Sequence, residues 1–418
     1  MFFGQARTSH AAAVGASAKV RVGLIGAGGM GRGDLDTFFL NREVDCPVLC
    51  DVDDAMLAKG VELVEKRRGH KPDTVKDFRR VLDRKDVDVV LVGTPDHWHA
   101  LPTVHACQAH KDVYVEKPLA TSIAEGRAML DAAKQHNRIV QMGTQWRSGG
   151  HWKEAVEFVQ SGKLGKIGLV RGWAYLDWVG GIGNPPDGDP PPGVDYDMWL
   201  GPAPKRPFNP NRFHFNFRWW WDYAGGLMTD WGVHLINIML WAMGPTHPRT
   251  VSSTGGKYVL DDNTETPDTQ VTVYEFPTYT LIWEHKVGIG LGLNSRPWGI
   301  AFTGSEGTLI INESGWEIIR EPKKESLEAK KYPGSGDARP AHVRNFLDCV
   351  KSRKAPVENL EVGHFISSVA HLGNIALRSG RKIVWDGKHE RIVGDKEANR
   401  LVGVSYRKPW SLPHMPKV

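Results

Sequence analysis

Five short apolar runs punctuate the first third of the chain. They lie at Val20–Ile25 and at residues 47–50, 87–92, 113–115 and 139–142. Each is rich in β-branched or other apolar residues and stops at glycine or a polar group, the pattern of buried strands. Between them, residues 30–40, 55–66, a segment ending near Cys107 and Gln108, and Ile123–Gln135 follow a helical period. Strands alternating with helices at this rhythm predict a doubly wound parallel sheet. Right-handed crossovers then gather the strand C-termini along one edge, where such folds bind ligands.

The pattern changes near Gln145. Residues 251–256, 270–276, 280–285, 299–303 and 308–311 alternate apolar with polar positions and predict an antiparallel or mixed sheet. Residues 341–350 and Leu360–Ser379 read as helices, and 382–385 as a last strand. Residues 180–197, rich in proline, glycine and aspartate, read as a long loop, and the charged 321–336 as an exposed one. Residues 225–241 are apolar almost all round and predict one buried helix. The expected fold class is α/β. A parallel sheet fills residues 19–145, an α/β domain with a large open sheet fills 146–385, and a flexible stretch (1–18) and a tail (386–418) flank them.

Composition narrows the function classes. The chain has 418 residues, 41% hydrophobic and 24% charged, which suits two soluble globular domains. The net charge of +5 is spread among 48 acidic residues without a basic stripe, so nucleic acid is not an expected partner. No run of 18 apolar residues occurs, and no membrane span is expected. Four cysteines without metal-ligand spacing read as isolated thiols, and no metal site is expected. Residues 1–18 hold Ser-His-Ala-Ala-Ala, which reads as a signal-peptide remnant or a disordered tail. Cytoplasmic and exported locations both remain open.

The candidate chemistry starts at Gly26, Gly28 and Gly31, spaced G-x-G-x-x-G between a strand and a helix. The first glycine allows a tight turn, the second a close approach of pyrophosphate, and the third close helix packing. A plain glycine-rich turn is the competing reading. Asp51, 20 residues past Gly31, is placed to accept hydrogen bonds from both ribose hydroxyls and to repel a 2′-phosphate. That favours NAD over NADP, although Asp51 or Asp53 also suits a helix cap. Ten of the 16 tryptophans lie between Gln145 and Trp241, either as core or as a cleft for sugar rings. In the helix over 225–241, Asp230, His234 and Asn237 share one face. Oxidising a secondary alcohol removes a hydride from carbon and a proton from oxygen. Lys117, at a strand C-terminus, and His234 are the two candidate proton acceptors, with Asp230 to hold substrate or steady imidazolium. The competing readings are a surface pair of Lys117 with Glu116 and a core histidine bonded to Asp230.

The motifs GAGGMG at residues 26–31, TPDHWH at 94–99, EKP at 116–118 and D-x-x-x-H at 230–234 resemble those of the Gfo/Idh/MocA oxidoreductases. These are NAD(P)-dependent enzymes acting mostly on sugars and cyclitols. The likeness extends to GTLIIN and to GHFISSVAHLGNIAL at 363–377. The ending KEANRLVGVSYRKPW looks like that of a bacterial subgroup often carrying twin-arginine export signals. The resemblance implies a Rossmann domain, a C-terminal α/β domain whose open sheet makes a homo-oligomer (dimer or tetramer), and Lys117, Asp230 and His234 as the catalytic set. It implies cofactor contacts from Gly26, Gly28, Gly29, Met30, Gly31, Asp51, Thr94, Pro95, His97, His99, Glu116 and Lys117. Trp146, Arg147, Trp178, Tyr196 and Asn237 are the expected substrate contacts. Asn237 stands where many relatives have an aspartate. The family also contains NAD-using glycosidases and a few sugar-sensing regulators. The expected activity is a dehydrogenase acting on a sugar, glycoside or cyclitol, with those two as alternatives.

Overall fold

The computed structural model describes residues 19–177, 181–324 and 327–413. Its first sheet contains β1 (Val20–Ile25), β2 (Val44–Cys50), β3 (Asp73–Val75), β4 (Val89–Val92), β5 (Asp112–Val115) and β6 (Val140–Met142). The order is β3-β2-β1-β4-β5-β6, parallel throughout. Helices α1 (Gly29–Phe38), α2 (Asp54–Arg68), α3 (Phe78–Leu82), α4 (Ala100–Gln108) and α5 (Ile123–Gln135) cover both faces. Strand order reverses between β1 and β4, which opens a crevice at their C-terminal ends. In this half of the chain the two elements without sequence signal are β3 and α3. Each has five residues or fewer, too short to establish a period.

The second half opens with α6 (Gly150–Gln160), β7 (Ile167–Leu176) and α7 (Tyr196–Leu200). Next come α8 (Gly226–Asp230), α9 (Gly232–Met243), β8 (Thr250–Gly256), β9 (Thr269–Glu275) and β10 (Thr280–Val287). β11 (Trp298–Gly304), β12 (Gly307–Asn312), β13 (Gly315–Arg320) and β14 (Lys330–Pro333) follow. The chain closes with α10 (Arg339–Ser352), α11 (Leu360–Ser379), β15 (Ile383–Asp386), β16 (Arg391–Ile392) and α12 (Lys396–Arg400). Ten strands form one sheet, ordered β14-β13-β12-β11-β7-β10-β9-β8-β15-β16. Among the described residues only β7 with β10 is parallel in this sheet; the other pairings are antiparallel.

Three departures from the sequence reading bear on the site. The helix expected over 225–241 is two helices. The chain turns at Trp231, and the amide of His234 bonds to the Trp231 carbonyl, three residues back. Second, α10 packs on the first sheet: Phe346 meets Phe38 and Tyr114 at ring distances of 6.0 and 5.7 Å. Third, residues 406–410 of the tail are bound down. Trp410 sits edge-on to Trp98 at 4.9 Å, and Tyr406 donates to Glu125 at 2.6 Å. The 321–336 loop also holds β14, an exposed edge strand. Residues 1–18, and with them the export question, lie outside the described residues.

Candidate active site

Between the two halves lies a cleft of about 360 Å³, within the range of small-molecule sites. Its floor is the glycine loop. Gly26 has φ +92°, and a Cβ there would lie 2.6 Å from the Thr94 amide nitrogen. A Cβ on Gly31 would lie 1.9 Å from the Gly26 carbonyl oxygen, so this glycine lets α1 close on the turn. Gly28 and Gly29 have open space where a Cβ would be, and both line the cleft with Met30. A pyrophosphate has room there against the N-terminus of α1.

Asp51 lines the same cleft. Its Oδ2 accepts from the Ala27 amide at 2.7 Å and its Oδ1 from the Asp53 amide at 3.0 Å. Burial raises its pKa, and these amides partly offset the rise. The cap of α2 is Asp53, which accepts from Ala55 at 2.8 Å. The glycine loop and the oriented carboxylate fit the pyrophosphate and ribose of an NAD molecule.

At the inner end, the two halves meet in a charged cluster. Lys117 Nζ donates to Asp230 Oδ1 at 2.5 Å and to the Asp230 carbonyl at 3.2 Å. Arg218 Nε donates to the same carboxylate at 3.2 Å. Burial alone would raise the Asp230 pKa; the two cations outweigh it and hold the group well below the carboxylate range. His234 points elsewhere: its ring lies 4.9 Å from Trp146, and its buried Nδ1 has no partner among the described residues. Burial, with the Lys117 cation second, pushes its pKa down to about 3, so its imidazole is neutral at pH 7. The core reading of an Asp230–His234 hydrogen bond is therefore not what the fold builds.

The remaining candidates divide by position. Thr94, Pro95, Glu116 and Lys117 line the cleft. Asp230, His234, His97 and His99 do not. His97 Nε2 bonds the Trp199 carbonyl at 2.9 Å, and the His99 ring spans the Pro118 and Thr94 carbonyls at 2.7 and 3.0 Å. Both are buried bracing groups, which explains why two histidines follow Thr94-Pro95 without facing a ligand. Trp146 stacks on Trp152 and on Trp298 at 4.5 and 5.1 Å, and those two rings lie 6.4 Å from each other. Arg147 donates to Asn237 at 2.5 Å and lies 3.1 Å from buried Glu358, to which Asn237 also donates at 3.0 Å. Burial pushes the Glu358 carboxyl up to about 7 against the pull of Arg147. None of these residues lines the open cleft. Tyr196 stacks on Trp199 and bonds the Pro207 carbonyl. Trp178 lies outside the described residues. The tryptophans of the second half are mostly core: Trp152, Trp173, Trp199, Trp219 and Trp220 are buried.

Sequence reasoning missed several groups. Arg218, Phe217 and His214 reach the cleft from the second half, from a stretch without periodicity. Asp96 was visible inside TPDHWH; it lines the cleft, and burial pushes it up to about 8. Asp34 on α1 pairs with Glu116, and burial raises both carboxyls. Among the described residues, no cluster of histidine, cysteine, aspartate or glutamate would hold a metal ion. No helix among them is long and apolar enough to cross a membrane.

Comparison with known proteins agrees with this geometry. The profile described as oxidoreductase family, NAD-binding Rossmann fold, matches residues 20–144. The profile described as oxidoreductase family, C-terminal alpha/beta domain, matches 157–277 and 317–412. A Shewanella oneidensis protein named alpha-N-acetylgalactosaminidase is 28% identical over 152 residues, 35% of this chain and 33% of that protein. The match thus spans a third of that relative's length. Levoglucosan dehydrogenase, solved with NADH and levoglucosan, superposes with a TM-score of 0.67 at 17% identity, over 88% of this chain and 99% of that one. The aldose-aldose oxidoreductase of Caulobacter crescentus gives 0.66 at 21% identity, over 88% and 99%. At such identities these likenesses concern the fold, while the two profiles together span most of the sequence. The chain belongs to the Gfo/Idh/MocA family of oxidoreductases.

Proposed function

We propose that this chain transfers hydride between NAD and a secondary hydroxyl of a sugar, glycoside or cyclitol. The observation that carries this is the 2.5 Å contact of Lys117, which lines the nucleotide cleft, with the Asp230 carboxylate, in the electrostatic field of which lies a neutral His234. NAD, when bound, supplies the hydride acceptor. The Lys117 ammonium stabilises negative charge developing on the substrate oxygen. Asp230 fixes the direction of that ammonium, and the neutral His234 ring offers a lone pair for the hydroxyl proton. Lys117 and His234 are both proton-acceptor candidates, and the pH profile of turnover distinguishes them.

A second reading has its own support. The 28% identical relative named as a glycosidase favours transient oxidation, elimination and re-reduction, with no net redox change. Incubation with NAD and a panel of sugars and aryl glycosides separates the two. Accumulating NADH supports the dehydrogenase. Released aglycone without NADH supports the glycosidase, and neither product overturns both.

The preference for NAD over NADP rests on Asp51. Asp51→Ala is expected to weaken NAD binding roughly tenfold or more, the loss of a hydrogen bond to a charged group, and to narrow the gap to NADP. Titration with both nucleotides checks this. Unchanged NAD affinity would reduce Asp51 to bracing the Ala27 and Asp53 amides. Self-association is assigned to the sheet face carrying Ile282 and Val273, both half-buried on the side away from the core. Ile282→Asp should shift the mass seen by light scattering from a dimer or tetramer to a monomer. A monomeric wild-type protein would remove this assignment.

A further inference from the structure

The adenosine half of the cleft is closed by the second half of the chain. Residues 193–195 run antiparallel to the loop after β2, with a bridge pairing Val194 and Asp53. The Asp195 amide donates to the Val52 carbonyl at 2.9 Å, and the Asp54 amide to the Gly193 carbonyl at 3.3 Å. Lys76 Nζ donates to the same Gly193 carbonyl at 3.0 Å and pairs with Asp54 at 2.9 Å. Further along, His214 Nε2 lies 2.8 Å from Asp53 Oδ2, while Oδ1 of that carboxylate caps α2. His214 holds this position with a left-handed φ of 48° and its ring 3.8 Å from that of Phe213.

Two features make this a wall of the nucleotide site and not only a domain contact. Lys76, His214 and Phe215 line the cleft together with Asp51 and Val52. The strap is also fastened at a second point. The Trp199 carbonyl, at the end of α7, accepts from the His97 and Trp98 rings, each at 2.9 Å. Asp195 joins the two anchors, because its side chain caps α7 while its amide holds the β2 loop. A dinucleotide lying from Asp51 to Lys117 therefore passes under a cover held at both ends.

We propose that the segment from Gly193 to His214 clasps the adenosine half of the nucleotide, so that the dinucleotide leaves only after the contacts to residues 52–54 open. This rests on the reading of the cleft as an NAD site. It adds that nucleotide exchange is limited by opening of the strap. Gly193 supplies a probe that does not itself line the cleft. Its φ is +86°, and a Cβ there would lie 3.0 Å from Asp54 Oδ2, so Gly193→Ala strains the strap without removing a wall residue.

The test is release of pre-bound NADH, followed by its fluorescence after addition of excess NAD. Gly193→Ala and His214→Ala are each expected to speed release roughly tenfold. Release at the wild-type rate from both folded variants overturns the proposal. Hydrogen exchange on the wild-type protein tests it without substitution: NAD should slow exchange of the Asp54 and Asp195 amides, and unchanged exchange there overturns it. No sugar is present in either experiment. A protein inactive on every sugar can therefore still show a working strap, and an active one can still lack it.

Discussion

Lys117→Ala is expected to lower turnover by roughly 10²–10⁴-fold while NAD affinity stays close to that of the wild type. The side chain is tied to Asp230 at 2.5 Å, and the nucleotide wall is built by the glycine loop and Asp51, so the two losses separate. His234→Ala is expected to cost a similar factor. The pH profile distinguishes their roles. Burial and the Lys117 cation push His234 down to about 3, so above pH 5 its ring is already neutral. A wild-type rate that falls between pH 8 and 5 therefore reports some group other than His234. The same shift acts on stability. A histidine whose folded pKa lies below its unfolded value of about 6.5 loses stabilisation as pH falls from 6.5 towards 3. Turnover at wild-type rates in either variant would remove the assigned site.

Asp230→Ala carries the largest expected effect on stability. The substitution leaves the Lys117 and Arg218 cations facing each other in a largely buried site, without the carboxylate that holds both. Breaking a buried pair by removing one partner costs about 3–5 kcal/mol. Chemical denaturation at pH 7 measures this, and a loss below about 1 kcal/mol would show that the cluster is solvent-screened. The sign with pH is fixed. Asp230 is held below the usual carboxylate range, so its contribution is complete above an unfolded pKa of about 3.9. The difference between wild type and variant should be flat from pH 8 to 5 and shrink only in stronger acid.

Neutral histidines show how far local reading reaches. His97 and His99 stand in a motif beside the cleft, yet His97 Nε2 lies against the Trp199 carbonyl and the His99 ring between the Pro118 and Thr94 carbonyls. The motif was legible; the side of the turn on which each ring falls was not, because it depends on partners 19 and 102 residues away. Asp230, His234 and Asn237 give the same lesson. Helical spacing put them on one face, but the break at Trp231 sends Asp230 to Lys117, while His234 and Asn237 stay together on α9 and meet Trp146 and Glu358.

The sequence by itself determined the parallel sheet, the glycine turn with Asp51 behind it, and Lys117 at a strand end. These rest on short-range rules: period, turn chemistry and a fixed offset along the chain. Tertiary structure alone decided that Lys117 meets Asp230 across 113 residues and that Arg218 joins them. It also decided that residues 193–214 close over Asp53 and that Arg147, Asn237 and Glu358 form a buried network. Each of these depends on which charges the packing of two layers leaves without water. No local pattern records that quantity, because it is set by groups far apart in the chain.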